Sequence, residues 1–356
     1  MVVAVAAGAA VLVARHLATK PLWLDEAVSV SVASRPLPQL AAVLTHHDAS
    51  AGLYYVLLHT WLRLGQGRAW DRLPSALCLV GSAALAAWIG SRWGTRWTGV
   101  ACGALVAANP FLLFYGQEAR PYALAVLLAL ASTAALFWRD GEPAPTAYVV
   151  ATVALLYADL FAVLFVACQA GAVLVVHRRR PHNVPPALVR SWGLIALGAL
   201  PLALIIVLRE GSQISWLPRP SPAALWQTVL SMAGGGAALA VMVGLVTLGA
   251  LVALGVVAIP PGDRRPSGDT VAGSRLRLAL PALASSFAVP PVLLWTFAQV
   301  VPSFLSRYVI CSTIGLIGLA VFGLEVGRRV AGVAAASTVL LGIVALGTAA
   351  AVRFEG

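Results

Sequence analysis

The residues able to do chemistry in this chain are few, and they gather in short polar clusters between apolar runs. The clusters are Trp23-Leu24-Asp25-Glu26, His46-His47-Asp48, Gln117 to Tyr122, Tyr157-Ala158-Asp159 and Ser306-Arg307-Tyr308. Only 13 of 356 residues are acidic, so several carboxylates at the ends of hydrophobic stretches need a reason. A charge placed within hydrocarbon costs about 2.5–3.5 kcal/mol, which makes each such residue a functional candidate. Asp25 can cap a short helix with its carboxylate oxygen. It can also act as a general base, taking the proton from a hydroxyl as that oxygen attacks carbon. Asp25 and Glu26 are adjacent and would point about 100° apart on a helix, so we assign the base to Asp25 and make Glu26 its orienting neighbour.

Arg120 precedes Pro121, and proline suits the first turn of a helix. Free N–H groups at such a terminus attract anions, and a guanidinium adds a fork for phosphate oxygens. Glu118 either pairs with Arg120 or meets a ligand hydroxyl, and Tyr122 lies in the same block. Arg307-Tyr308 repeats the pattern before a later run, as a second phosphate ligand or as an arginine reaching for lipid headgroups. Two arginines on one site suit a leaving group that departs as phosphate, because developing negative charge needs fixed positive partners. His47 and Asp48 are candidate contacts to substrate. A divalent metal on the histidines is disfavoured, since His46 and His47 are neighbours and do not easily meet one tetrahedral ion; no metal or other cofactor is required.

The elements that position these clusters follow from composition. Sixty per cent of the residues are apolar and 10% charged, and mean hydropathy is +0.89, against about a quarter charged in soluble domains. Such a chain is solvated largely by lipid. Its net charge of +11 fits anionic headgroups and membrane topology, not nucleic acid. Cys78, Cys102, Cys168 and Cys311 lie inside apolar runs without CxxC spacing and read as small buried hydrophobes.

Runs near the roughly 20 residues needed to cross a bilayer fall at 2–19, 73–91, 97–115, 119–138, 192–208, 237–258, 278–300, 308–327 and 330–351. The stretch 146–177 breaks near Asp159 into two more. The first run could be a signal peptide but reads better as a first transmembrane helix. The expected fold is an all-α integral membrane protein of about eleven spans, in one polytopic domain over 1–356. With the N-terminus cytoplasmic, the inside loops receive Arg92, Arg96, Arg139, Arg178 to Arg180, Arg190, Arg264, Arg265, Arg275, Arg277, Arg328 and Arg329, as the positive-inside rule prefers. Residues 20–72 then form a first external loop, in which 52–64 is a surface helix. Residues 223–236 read as a partial or re-entrant segment, and 259–277 as a cytoplasmic linker. All five polar clusters land on the outer face.

Several of these blocks resemble the GT-C membrane glycosyltransferases, in the branch of protein O-mannosyltransferases and aminoarabinose transferases. They are Trp23-Leu24-Asp25-Glu26, Asp48 with Tyr54-Tyr55 six positions on, Arg72-Leu73-Pro74-Ser75-Ala76, Asn109-Pro110 to Tyr122, and Arg307-Tyr308. The resemblance implies an inverting transferase at the plasma membrane that moves a sugar from a polyprenyl-phosphate carrier to a glycan, lipid or protein acceptor on the outer face. It implies Asp25 as base and Arg120 and Arg307 on the donor phosphate; Glu118, Asp48, His47, Tyr54, Tyr122 and Tyr308 are our further candidates for contacts to the substrates. The chain departs from the pattern at Ser50-Ala51-Gly52, where many relatives have His-Pro-Pro, and at Asp159, where many have His. It ends at Gly356, where several relatives carry a C-terminal external region. The alternative from another class is a lipid or polyprenyl-phosphate-sugar flippase, which would place its ionisable residues nearer the bilayer midplane and within a repeat.

Overall fold

A computed structural model describes residues 1–15, 17–46, 49–137, 143–177, 184–209, 217–253 and 269–354. The described regular elements are all helical: α1 (Val2–Ala14), α2 (Leu24–Ala33), α3 (Leu37–His46), α4 (Gly52–Leu62), α5 (Arg68–Trp93), α6 (Arg96–Ala108), α7 (Pro110–Gly116), α8 (Tyr122–Leu136), α9 (Pro145–Ala158), α10 (Val163–His177), α11 (Pro186–Arg209), α12 (Pro222–Ala233), α13 (Gly236–Ala253), α14 (Asp269–Phe297) and α15 (Ser312–Phe354).

By length and apolarity, four helical stretches can cross a membrane: Arg68–Trp93, Pro186–Leu208, Leu280–Phe297 and Ser312–Ala351. The number is six if the bent pairs α6–α7 (62°) and α12–α13 (79°) each count as one span. The expected eleven is not reached on this criterion. The difference lies in shorter apolar helices such as Val2–Ala14, Tyr122–Leu136, Pro145–Ala158 and Leu160–Val175. At 1.5 Å per residue, a 15-residue helix covers only about 22 Å of a roughly 30 Å hydrocarbon layer. It lies also in α15, which runs 43 residues through a break at Gly332 (φ 88°), where hydropathy reads two spans.

Both bends have local causes. Asn109 closes α6 and opens α7, its Oδ1 accepting from the Leu112 N–H at 3.1 Å and its Nδ2 donating to the Met232 carbonyl at 2.8 Å. Gly234 and Gly235, at φ 86° and 110°, turn α12 into α13 at a backbone conformation few other residues adopt. The segment read as partial is therefore a 12-residue helix angled against its successor. The linker read over 259–277 falls partly outside the described residues, and the chain is helical from Asp269.

Small residues let the helices approach, as expected where lipid supplies little drive for association. Gly99 and Gly103, four apart on α6, face Ala87 and Ala83 of α5. A Cβ on either glycine would lie 2.6 Å from the Ala87 carbonyl oxygen or 2.8 Å from that of Ala83. Gly323 packs on the Leu245 backbone in the same way, joining α15 to α13.

Between α1 and α5 the chain builds three short helices, α2, α3 and α4, none long enough to span. Helix α5 connects the two ends of the molecule. Arg72 near its start and Arg92 near its finish are 20 residues apart, about 30 Å along the axis. At the far end Glu325 takes Arg328 (2.6 Å), Arg329 (3.2 Å) and the Thr98 hydroxyl (3.1 Å). The polar clusters singled out above meet at the near end.

Candidate active site

The site rests on a buried ion pair. Glu26 is fully buried and Arg72 only 2% exposed. Arg72 Nε donates to Glu26 Oε1 at 2.7 Å and Nη2 to Oε2 at 2.6 Å. The remaining guanidinium protons go to the carbonyls of Leu17, Lys20 and Pro21, each at 3.0 Å. All five donors are therefore used. Glu26 also accepts from the Ala119 N–H at 2.9 Å and, as the third residue of α2, from the Trp23 N–H at 3.3 Å. The pair thus ties together the segment after α1, through Arg72, with the start of α2, the top of α5 and the 117–121 turn, through Glu26. Glu26 turns away from Asp25 into this clamp, so its place is a positioning one rather than that of a second reacting carboxylate.

Asp25, one residue earlier, turns outward and keeps 26% of its side chain exposed. Its Oδ2 lies 3.0 Å from Arg307 Nη1 and 3.9 Å from Arg120 Nη2. Arg120 Nη1 donates to Ser29 Oγ at 3.1 Å, and Nη2 to the Tyr122 hydroxyl at 3.3 Å. Ser29 in turn donates to the Asp25 carbonyl at 2.9 Å. Arg120 sits in the turn before α8, and Arg307 in a 3₁₀ turn, Ser306–Val309, before α15. Aromatic faces line the two guanidiniums. Tyr122 lies 5.5 Å from Arg120 and 6.0 Å from Arg307, with Trp23 at 6.0 Å and Tyr308 at 5.9 Å from Arg307. Tyr308 stacks on Phe161 at 4.3 Å and 13°.

Ten buried side-chain polar atoms have no hydrogen-bond partner among the described residues, and seven belong to the segments converging here. They are Gln117 Oε1, Glu118 Oε2, Arg120 Nε, Asp159 Oδ2, Arg307 Nε, Ser312 Oγ and Thr313 Oγ1. Each orphan costs about 1–3 kcal/mol. Two of them, Arg120 Nε and Arg307 Nε, belong to the guanidiniums that meet Asp25, and Gln117 and Glu118 to the turn that carries Arg120; orphaned polar groups in such number ask for an explanation. Burial, together with the nearby Glu26 charge, pushes the Glu118 carboxyl up to about 8. Burial pushes Asp159 up to about 7, against a single restraining hydrogen bond from the Phe161 N–H at 3.0 Å.

Of the residues expected at the site, Asp25, Glu118, Arg120, Tyr122, Arg307 and Tyr308 come together. Tyr54 does not join them. It is fully buried, with its hydroxyl 2.9 Å from Ser75 Oγ, which donates to the Arg120 carbonyl at 3.0 Å. Tyr54 therefore supports the 117–121 turn from behind. His47 and Asp48 lie outside the described residues. Sequence reasoning gave no role to Arg72, Ser29 or Ser75. Arg72 carried a usable signal, because an arginine at the very start of an apolar run, once buried, demands a carboxylate partner.

A buried Arg–Glu clamp presents an Asp–Arg–Arg cluster at one end of an apolar helical bundle, and the chain has the apolar helices of a multi-pass membrane protein. The solved structure of ArnT from Cupriavidus metallidurans in the apo state has a similar fold, with a TM-score of 0.61 over 91% of the chain. Identity is 16%, and the match covers 59% of the ArnT chain. No family model matches the sequence, and no curated protein is significantly similar to it.

Proposed function

We propose that this protein is an inverting glycosyltransferase. It moves a sugar from a polyprenyl-phosphate carrier to an acceptor hydroxyl at the outer face of the plasma membrane, with about eleven spans carrying the site. The observation that carries the reading is Asp25, a partly exposed carboxylate held between two arginines amid orphaned polar groups. The ArnT-like fold supports a lipid-linked donor.

In this mechanism the donor phosphodiester enters with one negative charge and competes with Asp25 for Arg120 and Arg307. The carboxylate it displaces becomes the hydrogen-bond acceptor for the incoming hydroxyl. As the acceptor oxygen attacks the anomeric carbon from the face opposite phosphate, its proton passes to Asp25 and the C–O bond to phosphate breaks. Polyprenyl phosphate departs as a monoester that gains up to one further negative charge, which two guanidiniums are placed to match. The proton leaves Asp25 to water. Positioned proton transfer of this kind contributes about 10²- to 10⁴-fold. Glu118, protonated at neutral pH, donates to a sugar hydroxyl or phosphate oxygen. The reaction requires no metal, because the arginines do the work of charge neutralisation.

The test is transfer from radiolabelled polyprenyl-phosphate monosaccharides to membrane extract, using the protein in nanodiscs beside Asp25→Asn. Label moved by the wild type and largely lost in the variant is the expected result. Equal transfer by both removes Asp25 from its role, and tight donor binding without transfer from any donor favours a flippase.

A further inference from the structure

The Asp25 centre is assembled from two halves. Asp25 and Arg120 stand on segments tied to the Glu26–Arg72 clamp. Glu26 follows Asp25 in α2 and accepts from the Ala119 N–H at 2.9 Å, and Ser75 Oγ on α5 donates to the Arg120 carbonyl at 3.0 Å. Arg307 comes from much later in the chain. None of the clamp's hydrogen bonds among the described residues reaches its 3₁₀ turn, Ser306–Val309. Yet its Nη1 lies 3.0 Å from Asp25 Oδ2. A guanidinium ends a flexible stem, so its reach depends on where the turn that carries it is set.

That turn meets the reversal between α9 and α10. Asp159 ends α9, its N–H donating to the Leu155 carbonyl at 2.9 Å, and opens the 3₁₀ turn Leu160–Ala162, its carbonyl accepting from the Ala162 N–H at 3.1 Å. Its Oδ1 accepts from the Phe161 N–H at 3.0 Å, as a capping carboxylate does. Backbone and side chain of Asp159 thus both shape the reversal, and they place the Phe161 ring. That ring lies on Tyr308 with centroids 4.3 Å apart and planes 13° from parallel, a favourable aromatic contact. Tyr308 follows Arg307 directly, and its ring is 5.9 Å from the guanidinium. Helices α12 and α14 border the turn as well, but the ring stack is made by the residue bonded to Arg307.

We infer that Asp159 and Phe161 are positioning residues for Arg307. The capped reversal holds the Phe161 ring, the ring holds Tyr308, and Tyr308 sets the guanidinium against Asp25 and the donor phosphate. The effect on the donor rests on the transferase reading; the effect on the turn rests on the fold alone. The two halves of the centre are then under separate control, Asp25 and Arg120 by the Glu26 clamp and Arg307 by the Asp159 cap. Neither Asp159 nor Phe161 is asked to touch substrate, so their loss weakens donor binding and leaves the chemical step nearly intact.

The experiment measures transfer kinetics and hydrogen exchange on the full chain in nanodiscs. Phe161→Leu stays apolar but loses the ring, and Asp159→Ala loses the cap. Each should raise the donor KM about three- to tenfold, the scale of one aromatic pair or one cap, with kcat changed less than about twofold. The amides of Tyr308 and Ile310, which bond the carbonyls of Leu305 and Arg307, should exchange faster by a similar factor, while that of Ala119 keeps its protection. Phe161→Tyr keeps the ring and Asp159→Asn keeps Oδ1, and both should retain the wild-type KM, which a general loss of packing would not give. In a Tyr308→Leu background, Phe161→Leu should add no further rise. Unchanged exchange at Tyr308 and Ile310 overturns the inference. So does Asp159→Asn behaving as Asp159→Ala, or kcat falling with KM untouched. A wild type that transfers nothing removes the transferase reading, and exchange at Tyr308 and Ile310 still decides whether Asp159 and Phe161 hold the turn.

Discussion

Removing Arg72 should release the whole first loop from the bundle. In Arg72→Met the apolar stem is kept, but Glu26 loses two charge-assisted bonds and remains in a site of 0% exposure. Breaking one side of a buried pair costs about 3–5 kcal/mol, most of it the stranded charge. The Ala119 and Trp23 amides still reach Glu26 and hold the figure to the lower part of that range. The carbonyls of Leu17, Lys20 and Pro21 lose their donor as well, which frees the segment leading into α2. Hydrogen exchange in nanodiscs reads this locally. Protection of residues 17–33 should fall by about two to three orders of magnitude, at 1.4 kcal/mol per tenfold, while α13 and α15 keep theirs. Glu26→Gln alone should cost less, and the double variant less than the sum, with a coupling on the order of 2–3 kcal/mol. Additivity within about 0.5 kcal/mol, or loop protection reduced less than tenfold, would refute the clamp.

Arg307→Gln should raise the donor KM about ten- to a hundredfold, the range for one hydrogen bond to a charged group, with a smaller change in kcat. Glu118 gives a pH dependence of defined sign. Its carboxyl is pushed up to about 8, so it is neutral at pH 7, and ionisation above 8 sets a negative charge among the groups that take the donor phosphate. The value of kcat/KM should decline on an alkaline limb near pH 8, and Glu118→Gln should remove that limb. The same shift stabilises the fold fully below the ordinary carboxylate range, and this contribution is lost as pH rises through about 8, which thermal unfolding at pH 6 and 9 should register. Gly103→Val should force α5 and α6 apart, since even a Cβ would sit 2.8 Å from the Ala83 carbonyl oxygen. A loss of about 1–3 kcal/mol is expected, seen as a lowered thermal transition in detergent.

The membrane class and the helical content were legible because they depend on sums over many residues, and so was the gathering of Asp25, Glu118, Arg120 and Arg307. Ionisable residues at the ends of apolar runs have few places to go, and span counting by hydropathy put them on one face. The span count was less secure, because hydropathy measures apolarity and not helix length. Val2–Ala14 and Pro145–Ala158 are apolar enough yet short, and the turn after the second is set by Asp159 rather than by any gradient in hydrophobicity. The division of labour between Asp25 and Glu26 was hidden for a different reason. Their helical angle says they diverge but not which one meets a partner 46 residues away, and only packing decides that. Tyr54 misled in the same way: a tyrosine in a quoted motif serves equally well as a ligand or as the prop beneath one.

The two faces of α2 make this division useful. Glu26 and Arg72 together fix the helix to the bundle with seven hydrogen bonds, four at the carboxylate and three from the guanidinium to carbonyls, so Asp25 is delivered on a rigid element while its own carboxylate is held by Arg120 and Arg307. A base permanently paired with arginine is a poor proton acceptor, and two arginines permanently unpaired in a half-buried site would repel one another at a cost of about 2–4 kcal/mol at about 4–8 Å in an effective dielectric near 20. On the proposed mechanism sharing solves both problems: the carboxylate neutralises the cations until phosphate arrives, and phosphate frees the carboxylate when it does. Proton acceptance would then be coupled to donor binding, which would protect the carrier from a base ready to activate water. The coupling has a measurable corollary. Asp25→Asn should bind the donor more tightly than the wild type while failing to transfer its sugar, because the competitor for Arg120 and Arg307 is gone; weaker binding in Asp25→Asn would show that the carboxylate positions the arginines instead of competing for them.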